Sequence, residues 1–140
     1  SLDVTRYDQV GPVMADLVEV LGGLETVVVN AGISLGEKIG RGRFDNCRRM
    51  IETNLLGAMA TVDAVLPAMR ERGRGQIALV SSLAARYDMP MTPAYCASKA
   101  ALDQLTAFLA PDALREAEEP QVVRNGEQIG ENHLPLARHA

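Results

Sequence analysis

The sequence has few aromatic residues and few cysteines, which narrows the possible functions. Tryptophan is absent from the 140 residues, and the chain has three tyrosines, two phenylalanines and two cysteines. Cys47 and Cys96 alone cannot form a disulfide framework, so we expect a reducing, cytoplasmic location. No apolar run reaches the ~18 residues of a membrane span, so we expect no membrane insertion.

Positive charge is also scarce. The chain has 14 basic and 18 acidic residues, a net charge of −4 and a pI of about 5.2, which argues against electrostatic binding to nucleic acid. Only two basic residues are lysines, Lys38 and Lys99, so a lysine within a motif is informative. The 47% hydrophobic and 23% charged fractions are typical of a folded globular domain. We also expect no metal site.

The apolar pattern predicts an α/β fold. Two continuous apolar, β-branched runs at 25–29 and 76–80 predict strands that are covered on both faces, as in a parallel sheet. Three segments with helical periodicity or composition predict helices at 7–21, 44–72 and 93–109. Leu2–Val4 resembles the end of another strand. Alternating helices and strands indicate βαβ units, whose ligands bind beyond the carboxyl ends of the strands.

Tyr95 and Lys99 are the first candidate pair for chemistry. They lie four residues apart on a predicted helix, so their side chains share one face. A phenol titrates near pH ~10, and a cation within a few ångströms favours its phenolate form. The pair is therefore suited to proton transfer, although a helix can carry this spacing by chance.

Ser82 and Asn54 add polar groups to this pair. Ser82 follows the second predicted strand, thirteen residues before Tyr95, where it could bond a substrate carbonyl or simply cap a turn. Ser81 lies one residue too far from Tyr95 for the same role. Asn54 interrupts an apolar helix, where its helix propensity is poor, so we expect a local backbone irregularity with a bound water.

The combined motifs resemble the short-chain dehydrogenase/reductase family. Asn30-Ala31-Gly32, Asn54, Ser82 and Tyr95-x-x-x-Lys99 occur in the family's order and spacing. The resemblance implies a partial Rossmann-type, doubly wound parallel sheet, of which the chain holds the central βαβα portion. It also implies hydride transfer between NAD or NADP and a small alcohol or carbonyl substrate, and assembly as a homodimer or homotetramer.

The resemblance implies a role for each motif residue. Tyr95 would be the general acid–base, and Lys99 would favour its phenolate and hold the nicotinamide ribose. Ser82 would stabilise the developing alkoxide, and Asn54 would hold a water that links Lys99 to solvent. Asn30 would brace the sheet near the cofactor. The remaining expected cofactor contacts are Asp3 and Val4, which resemble the adenine-contacting segment, and Ala31 and Gly32.

Two features depart from the family pattern. No Gly-x-x-x-Gly-x-Gly or Gly-x-Gly-x-x-Gly turn directly follows a predicted strand, so a helix N-terminus for the cofactor pyrophosphate is lacking. After Leu109 we expect no apolar strand, with Val122-Val123 the nearest approach to one. We divide the chain into a partial NAD(P)-binding domain, 1–110, and a divergent acidic tail, 111–140, with a helical start and then irregular structure.

These departures suggest an N-terminally truncated chain with a frameshifted or unrelated tail. We expect weak or no NAD(P) binding, little dehydrogenase activity and uncovered apolar strand edges and faces. The alternative function is a non-catalytic fragment or scaffold that associates through its long helices. Residues 83–94 should line the substrate pocket, with Tyr87, Met89 and Met91 as contacts or as loop packing.

Overall fold

The computed structural model describes residues 1–36, 38–113, 122–124 and 127–128. Helices and strands alternate, which confirms the predicted α/β class. Along the chain the elements are helix α1 (Tyr7–Leu21), strand β1 (Thr26–Val29), helix α2 (Phe44–Ile51), a π-helical turn (Glu52–Leu56), helix α3 (Gly57–Glu71), strand β2 (Gln76–Leu79), a 3₁₀ turn (Leu83–Ala85), helix α4 (Pro93–Ala113), strand β3 (Val122–Arg124) and strand β4 (Glu127–Gln128).

The sheet has the strand order β1-β2-β3-β4. β1 and β2 are parallel, with Thr26 opposite Gln76 and Val29 opposite Leu79. β3 lies parallel to β2, and β4 is antiparallel to β3. The carboxyl ends of β1 and β2 therefore lie at one edge of the sheet, where the sequence motifs of the candidate site begin.

The first residues do not form the predicted strand. The Asp3 carboxylate accepts hydrogen bonds from the Thr5 backbone N–H at 2.9 Å and from the Thr5 hydroxyl at 2.8 Å. The Arg6 N–H donates to the Asp3 carbonyl at 3.0 Å. These local bonds form a turn and take backbone groups that a strand would offer to a neighbour, so the expected strand end at Leu2–Val4 is wrong.

The expectation that no strand follows Leu109 is also wrong. β3 pairs with β2 through Val122, opposite Ile77, and Val123, opposite Ala78. Helix α4 also runs beyond its expected end, through Pro111 to Ala113. A proline this close to the end of a helix removes only one backbone hydrogen bond, so four residues can follow the position at which we expected the helix to stop.

The apolar core lies between one face of the sheet and the helices. It joins β1 and β2 to α3 and α4 through buried side chains, namely Val29, Ala58, Val62, Val65, Met69, Ile77, Leu79 and Leu102. On the other face of β1, Val28 is 60% exposed, so the predicted cover on both faces is wrong for β1 within the described residues, and the expected uncovered face is present there. Among the described residues, no helix is both long and apolar enough to cross a membrane.

Candidate active site

The irregularity expected at Asn54 is a π-helical turn between α2 and α3. The Gly57 N–H donates to the Glu52 carbonyl, five residues back, where an α-helix would bond four residues back. The Tyr7 hydroxyl of α1 donates to the same carbonyl at 3.2 Å. The expected break in the helix is therefore confirmed, and α1 is bonded to it.

Within this turn the Asn54 side chain is fully buried and bonded on both sides of its amide. Its Oδ1 accepts the Ile33 backbone N–H at 2.7 Å. Its Nδ2 donates to the Ile33 carbonyl at 2.9 Å and to the Ser98 Oγ at 3.0 Å. Asn54 thus pairs with the Ile33 backbone as a neighbouring strand would, and it links the segment after β1 to helix α4.

Ser98 is a component of the site that the sequence analysis did not identify. It is fully buried, and its hydroxyl donates to the Tyr95 carbonyl at 2.7 Å while it accepts from Asn54. The sequence feature that could have identified Ser98 is its position three residues after Tyr95, because a serine hydroxyl can bond a backbone carbonyl one turn earlier in a helix. Its second partner, Asn54, lies 44 residues away in the chain, and residue spacing within one helix does not predict such a contact.

Lys99 lies where β2 and α4 meet. Its side chain is only 5% exposed, and its Nζ donates to the Val80 carbonyl at 2.7 Å. The Nζ lies 5.8 Å from the centroid of the Tyr95 ring, so the structure brings the predicted pair together. Burial lowers the pKa of Lys99 below its usual value, because the ammonium loses hydration.

Ser81 and Ser82 occupy different positions at the end of β2. The Ser81 hydroxyl donates to the Lys99 carbonyl at 3.3 Å and so bonds the strand end to α4. Ser82 caps the 3₁₀ turn, since its Oγ accepts the Ala84 N–H at 3.2 Å. Capping uses an acceptor position of Ser82, and its hydroxyl hydrogen plays no part in that bond. Ser82 can therefore cap the turn and donate a hydrogen bond to a substrate oxygen at the same time.

Asn30, Ala31 and Gly32 leave the carboxyl end of β1 and are exposed. A Cβ added at Gly32 would lie 3.4 Å from the Asn54 Oδ1 and 3.6 Å from the Lys99 Nζ. Glycine therefore lets the segment after β1 pass beside the Lys99 ammonium and leaves open a space that a side chain would fill.

Asp3 and Val4 have local structural contacts. Hydrogen bonds from the Thr5 backbone and side chain lower the pKa of the exposed Asp3 carboxyl. Val4 packs closely on Gly57, the first residue of α3, since a Cβ added at Gly57 would lie 2.7 Å from the Val4 Cγ2. Their contact with an adenine stays a prediction. Across the described part of the chain, no group of three or more His, Cys, Asp or Glu side chains could hold a metal ion.

Residues 1–119 match the family described as short chain dehydrogenase, past the boundary expected at 110. An uncharacterized oxidoreductase of Mycobacterium tuberculosis is 37% identical over 106 residues, which cover 75% of this chain and 42% of the relative. An NADP-dependent 3-hydroxy acid dehydrogenase of Schizosaccharomyces pombe is 33% identical over 115 residues, which cover 81% and 44%. The solved structure of an NAD⁺-bound xylitol dehydrogenase has a TM-score of 0.79 at 26% identity and covers 86% of this chain and 46% of that one. The chain thus spans less than half the length of these proteins.

Proposed function

Because this chain belongs to the short-chain dehydrogenase family, with its Rossmann-type fold, we propose that it carries the proton-transfer residues of an NAD- or NADP-dependent oxidoreductase. The reaction interconverts a secondary alcohol and a carbonyl compound. The observation that carries the proposal is the position of the buried Lys99 ammonium, 5.8 Å from the Tyr95 ring centroid. A cation held there favours the phenolate form of a tyrosine.

Tyr95 acts as the proton donor in the reduction direction and as the acceptor in the oxidation direction. Its hydroxyl gives a proton to the carbonyl oxygen of the substrate; a nicotinamide cofactor, when bound, would supply or accept the hydride at the carbon. Lys99 keeps its position because its ammonium is bonded to the Val80 carbonyl. Its charge stabilises the phenolate left after proton transfer.

Ser82 orients the substrate oxygen. Its Oγ accepts from the Ala84 N–H, which holds the side chain at the end of β2. From this fixed position the hydroxyl hydrogen is donated to the carbonyl oxygen and stabilises the negative charge that develops there. Ser81 serves a different purpose, since its hydroxyl bonds the backbone of Lys99.

Asn54 supports a proton path through its place in the π-turn. Both hydrogens of its Nδ2 are already donated, to the Ile33 carbonyl and the Ser98 hydroxyl. A water that links Lys99 to solvent therefore donates its hydrogen bond to a backbone carbonyl of the π-turn or to the remaining lone pair of the Asn54 Oδ1. In this proposal the side chain chiefly positions Ile33 and α4.

The residues present fit the nicotinamide half of the cofactor. The open space at Gly32, beside the Lys99 ammonium, suits a ribose whose hydroxyls accept hydrogen bonds from that ammonium. The similar proteins include both an NADP-dependent dehydrogenase and an NAD⁺-bound one, so we propose a nicotinamide cofactor of either type. The substrate is a small alcohol or carbonyl compound.

Association through the helices is a second candidate function. Apolar side chains of α2, α3 and α4 are exposed, including Phe44 at 76% and Phe108 at 72%. Such residues favour contact with a second copy, so we propose a homodimer or homotetramer. Cys47 and Cys96 are free thiols, in keeping with a cytoplasmic location. Association survives the change Tyr95→Phe, whereas turnover does not.

The test is a chimera in which residues 1–110 replace the matching segment of the Mycobacterium tuberculosis relative. That host supplies the parts of a dehydrogenase that lie outside this chain. Reduction of a panel of ketones by NADH and NADPH is measured with Tyr95 intact and with Tyr95→Phe. We expect the change to lower turnover by at least about 100-fold, the contribution typical of a general acid–base, with cofactor affinity kept within about twofold.

The matched control is Tyr7→Phe, which removes a phenolic hydroxyl of α1 bonded to the Glu52 carbonyl. It should leave turnover within about threefold, since that hydroxyl is not part of the Tyr95–Lys99 pair. Turnover that survives Tyr95→Phe would exclude the proposed mechanism. For the 140-residue chain by itself we expect weak cofactor binding, and calorimetry showing micromolar affinity for NADH or NADPH would contradict that expectation.

A further inference from the structure

A basic cleft lies between the two segments that frame the candidate active site. It has a volume of about 240 Å³ and is lined by Gly36, Lys38, Arg41, Arg43 and Met91. We propose that this basic cleft binds the carboxylate or phosphate end of an anionic carbonyl substrate. This inference rests on the proposed function, because it assigns the substrate class of the same site.

The charge of the basic cleft opposes that of the whole chain. Residues 36–43 contain three cations and one carboxylate, a net charge of +2, in a chain whose net charge is −4. The ion pairs found among the described residues involve other arginines, such as Arg48 and Arg74. The three cations of the cleft are exposed, so their donors face solvent and can meet an anion there. Guanidinium groups suit carboxylate and phosphate because they can donate two parallel hydrogen bonds.

The first wall of the basic cleft is anchored to the candidate active site. Ile33 is bonded to the Asn54 side chain through both its N–H and its carbonyl. Two residues later, the Leu35 N–H donates to the Met50 sulfur at 3.3 Å, and the Gly36 carbonyl accepts from the Asn46 Nδ2 at 3.5 Å. The wall is therefore held in place as it leaves the buried network.

The second wall is Met91, which precedes helix α4. Tyr95 lies four positions further along the chain, so the two Cα atoms are at most roughly 14 Å apart, the length of four extended residues. A substrate with its carbonyl at Tyr95 can therefore reach the Met91 wall through a short chain of carbon atoms, and the cations line the same cleft. The Met91 thioether can pack against the carbon chain of the substrate, whereas the cations can donate hydrogen bonds to its anionic end.

Met91 has an unusual backbone conformation that shapes this wall. Its φ is +66°, in the left-handed region that a residue with a side chain seldom adopts. The adjacent turn is closed by the Thr92 hydroxyl, which donates to the Met89 carbonyl at 3.1 Å. The same residue was expected from the sequence to line the substrate pocket. The combination of an apolar thioether and three cations favours an amphipathic anion over a bare inorganic ion.

Binding of matched acids and amides tests the proposal. The probes are 4-oxopentanoate, 6-oxoheptanoate and 8-oxononanoate, each compared with its primary amide, with inorganic phosphate and NADP⁺ as further ligands. Dissociation constants are measured by ligand-observed NMR on the 140-residue chain and on the chimera. We expect at least one acid to bind about tenfold more tightly than its amide, with the preference falling as salt is added.

The variants Lys38→Gln, Arg41→Gln and Arg43→Gln should each weaken binding of that acid about three- to tenfold and leave its amide unaffected. The matched control is Arg70→Gln, on the exposed surface of α3 and outside the cleft. Thermal unfolding of each variant shows whether the fold is kept. Because the readout is binding, it remains informative if the chain has no dehydrogenase activity.

Three results would overturn the inference. They are equal affinity for acid and amide at every chain length without binding of phosphate, equal weakening by Arg70→Gln, and full affinity in a variant that combines the Lys38→Gln, Arg41→Gln and Arg43→Gln changes. If the variants weaken NADP⁺ and spare the oxo acids, the cleft binds a cofactor phosphate and the assignment is also wrong. A phosphate response without an acid response would restrict the substrate class to phosphorylated carbonyl compounds. Acid preference without turnover in the chimera would contradict the proposed function alone.

Discussion

The two sides of this molecule differ sharply in how their residues are covered. Around the π-turn, polar side chains are fully buried and bonded to one another, as Asn54 and Ser98 show. On the outer face of β1, an apolar side chain, Val28, is 60% exposed. Val20 and Leu21, at the end of α1, are also exposed. The polar part is therefore enclosed, while part of the apolar surface is open.

This difference shows which interactions the 140 residues supply among themselves. The network at Asn54 is closed by segments between Ile33 and Lys99, so the candidate catalytic geometry depends on local packing within the described chain. The sheet face at Val28 has no comparable cover among the described residues. Changes on the two sides should therefore have very different effects on the free energy of unfolding.

The largest effect is expected for Asn54→Leu, which keeps a similar volume and removes the amide. The change breaks three hydrogen bonds and leaves the Ile33 N–H and carbonyl without their Asn54 partners. We expect a loss of about 3–5 kcal/mol in the free energy of unfolding, the range for disrupting a buried polar network. Urea denaturation followed by circular dichroism measures it.

The matched control is Asn46→Leu, because Asn46 is an asparagine whose amide makes one long bond, 3.5 Å, to the Gly36 carbonyl. It should cost less than about 1 kcal/mol. Ser98→Ala removes one bond of the Asn54 network and should cost about 1 kcal/mol. In the double variant with Asn54→Leu the two losses should not add, since they share that bond. Additive losses, or equal losses at Asn46 and Asn54, would show that the network is not a stabilising unit.

The sequence predicted the parts of the site that depend on local spacing. Tyr95 and Lys99 share a face because they lie four residues apart on one helix, and the structure places them together. Asn54 was expected to disturb its helix because asparagine in an apolar, close-packed segment needs hydrogen-bond partners, and the π-turn confirms the disturbance. Parallel pairing of β1 and β2 followed from their continuous apolar runs.

The remaining parts depend on partners distant in the chain or on competing local bonds. Ser98 bonds Asn54 only because α4 packs against the π-turn, and no pattern within either segment shows that contact. β3 is three residues long, too short for a periodic signal, and its position depends on the adjacent edge of β2. Leu2–Val4 has strand-like residues, but the Asp3 carboxylate instead bonds the turn that follows.

A smaller effect is expected in the pH dependence of stability, through Lys99. Burial lowers its folded-state pKa, so between that pKa and the unfolded value near ~10.4 the unfolded chain binds more protons. Stability therefore rises with pH across this window, because the cost of burying the ammonium is relieved. The free energy of unfolding of the wild type relative to Lys99→Met should increase as the pH is raised through the window.

The other lysine of the chain is the control. Lys38 is exposed, and the variant Lys38→Met keeps the buried Lys99, so its stability should follow the wild-type pH profile with the same rise across the window. A wild-type profile parallel to that of Lys99→Met would mean that the ammonium is solvated in solution. Lys99 would then be a solvent-exposed residue, as Val28 is, and would not belong to the buried polar network.

The smallest effect is expected on the open face of β1, for Val28→Thr. This change keeps the side-chain shape and adds a hydroxyl to a residue that is 60% exposed, so it should alter the free energy of unfolding by less than about 0.5 kcal/mol. Val29→Thr, at the next residue with 7% exposure, should cost about 1–3 kcal/mol because its hydroxyl is buried in the core. Equal costs at Val28 and Val29 would show that the open face is covered in solution. If that cost depends on protein concentration, the cover is a second copy of the chain, since association couples stability to concentration.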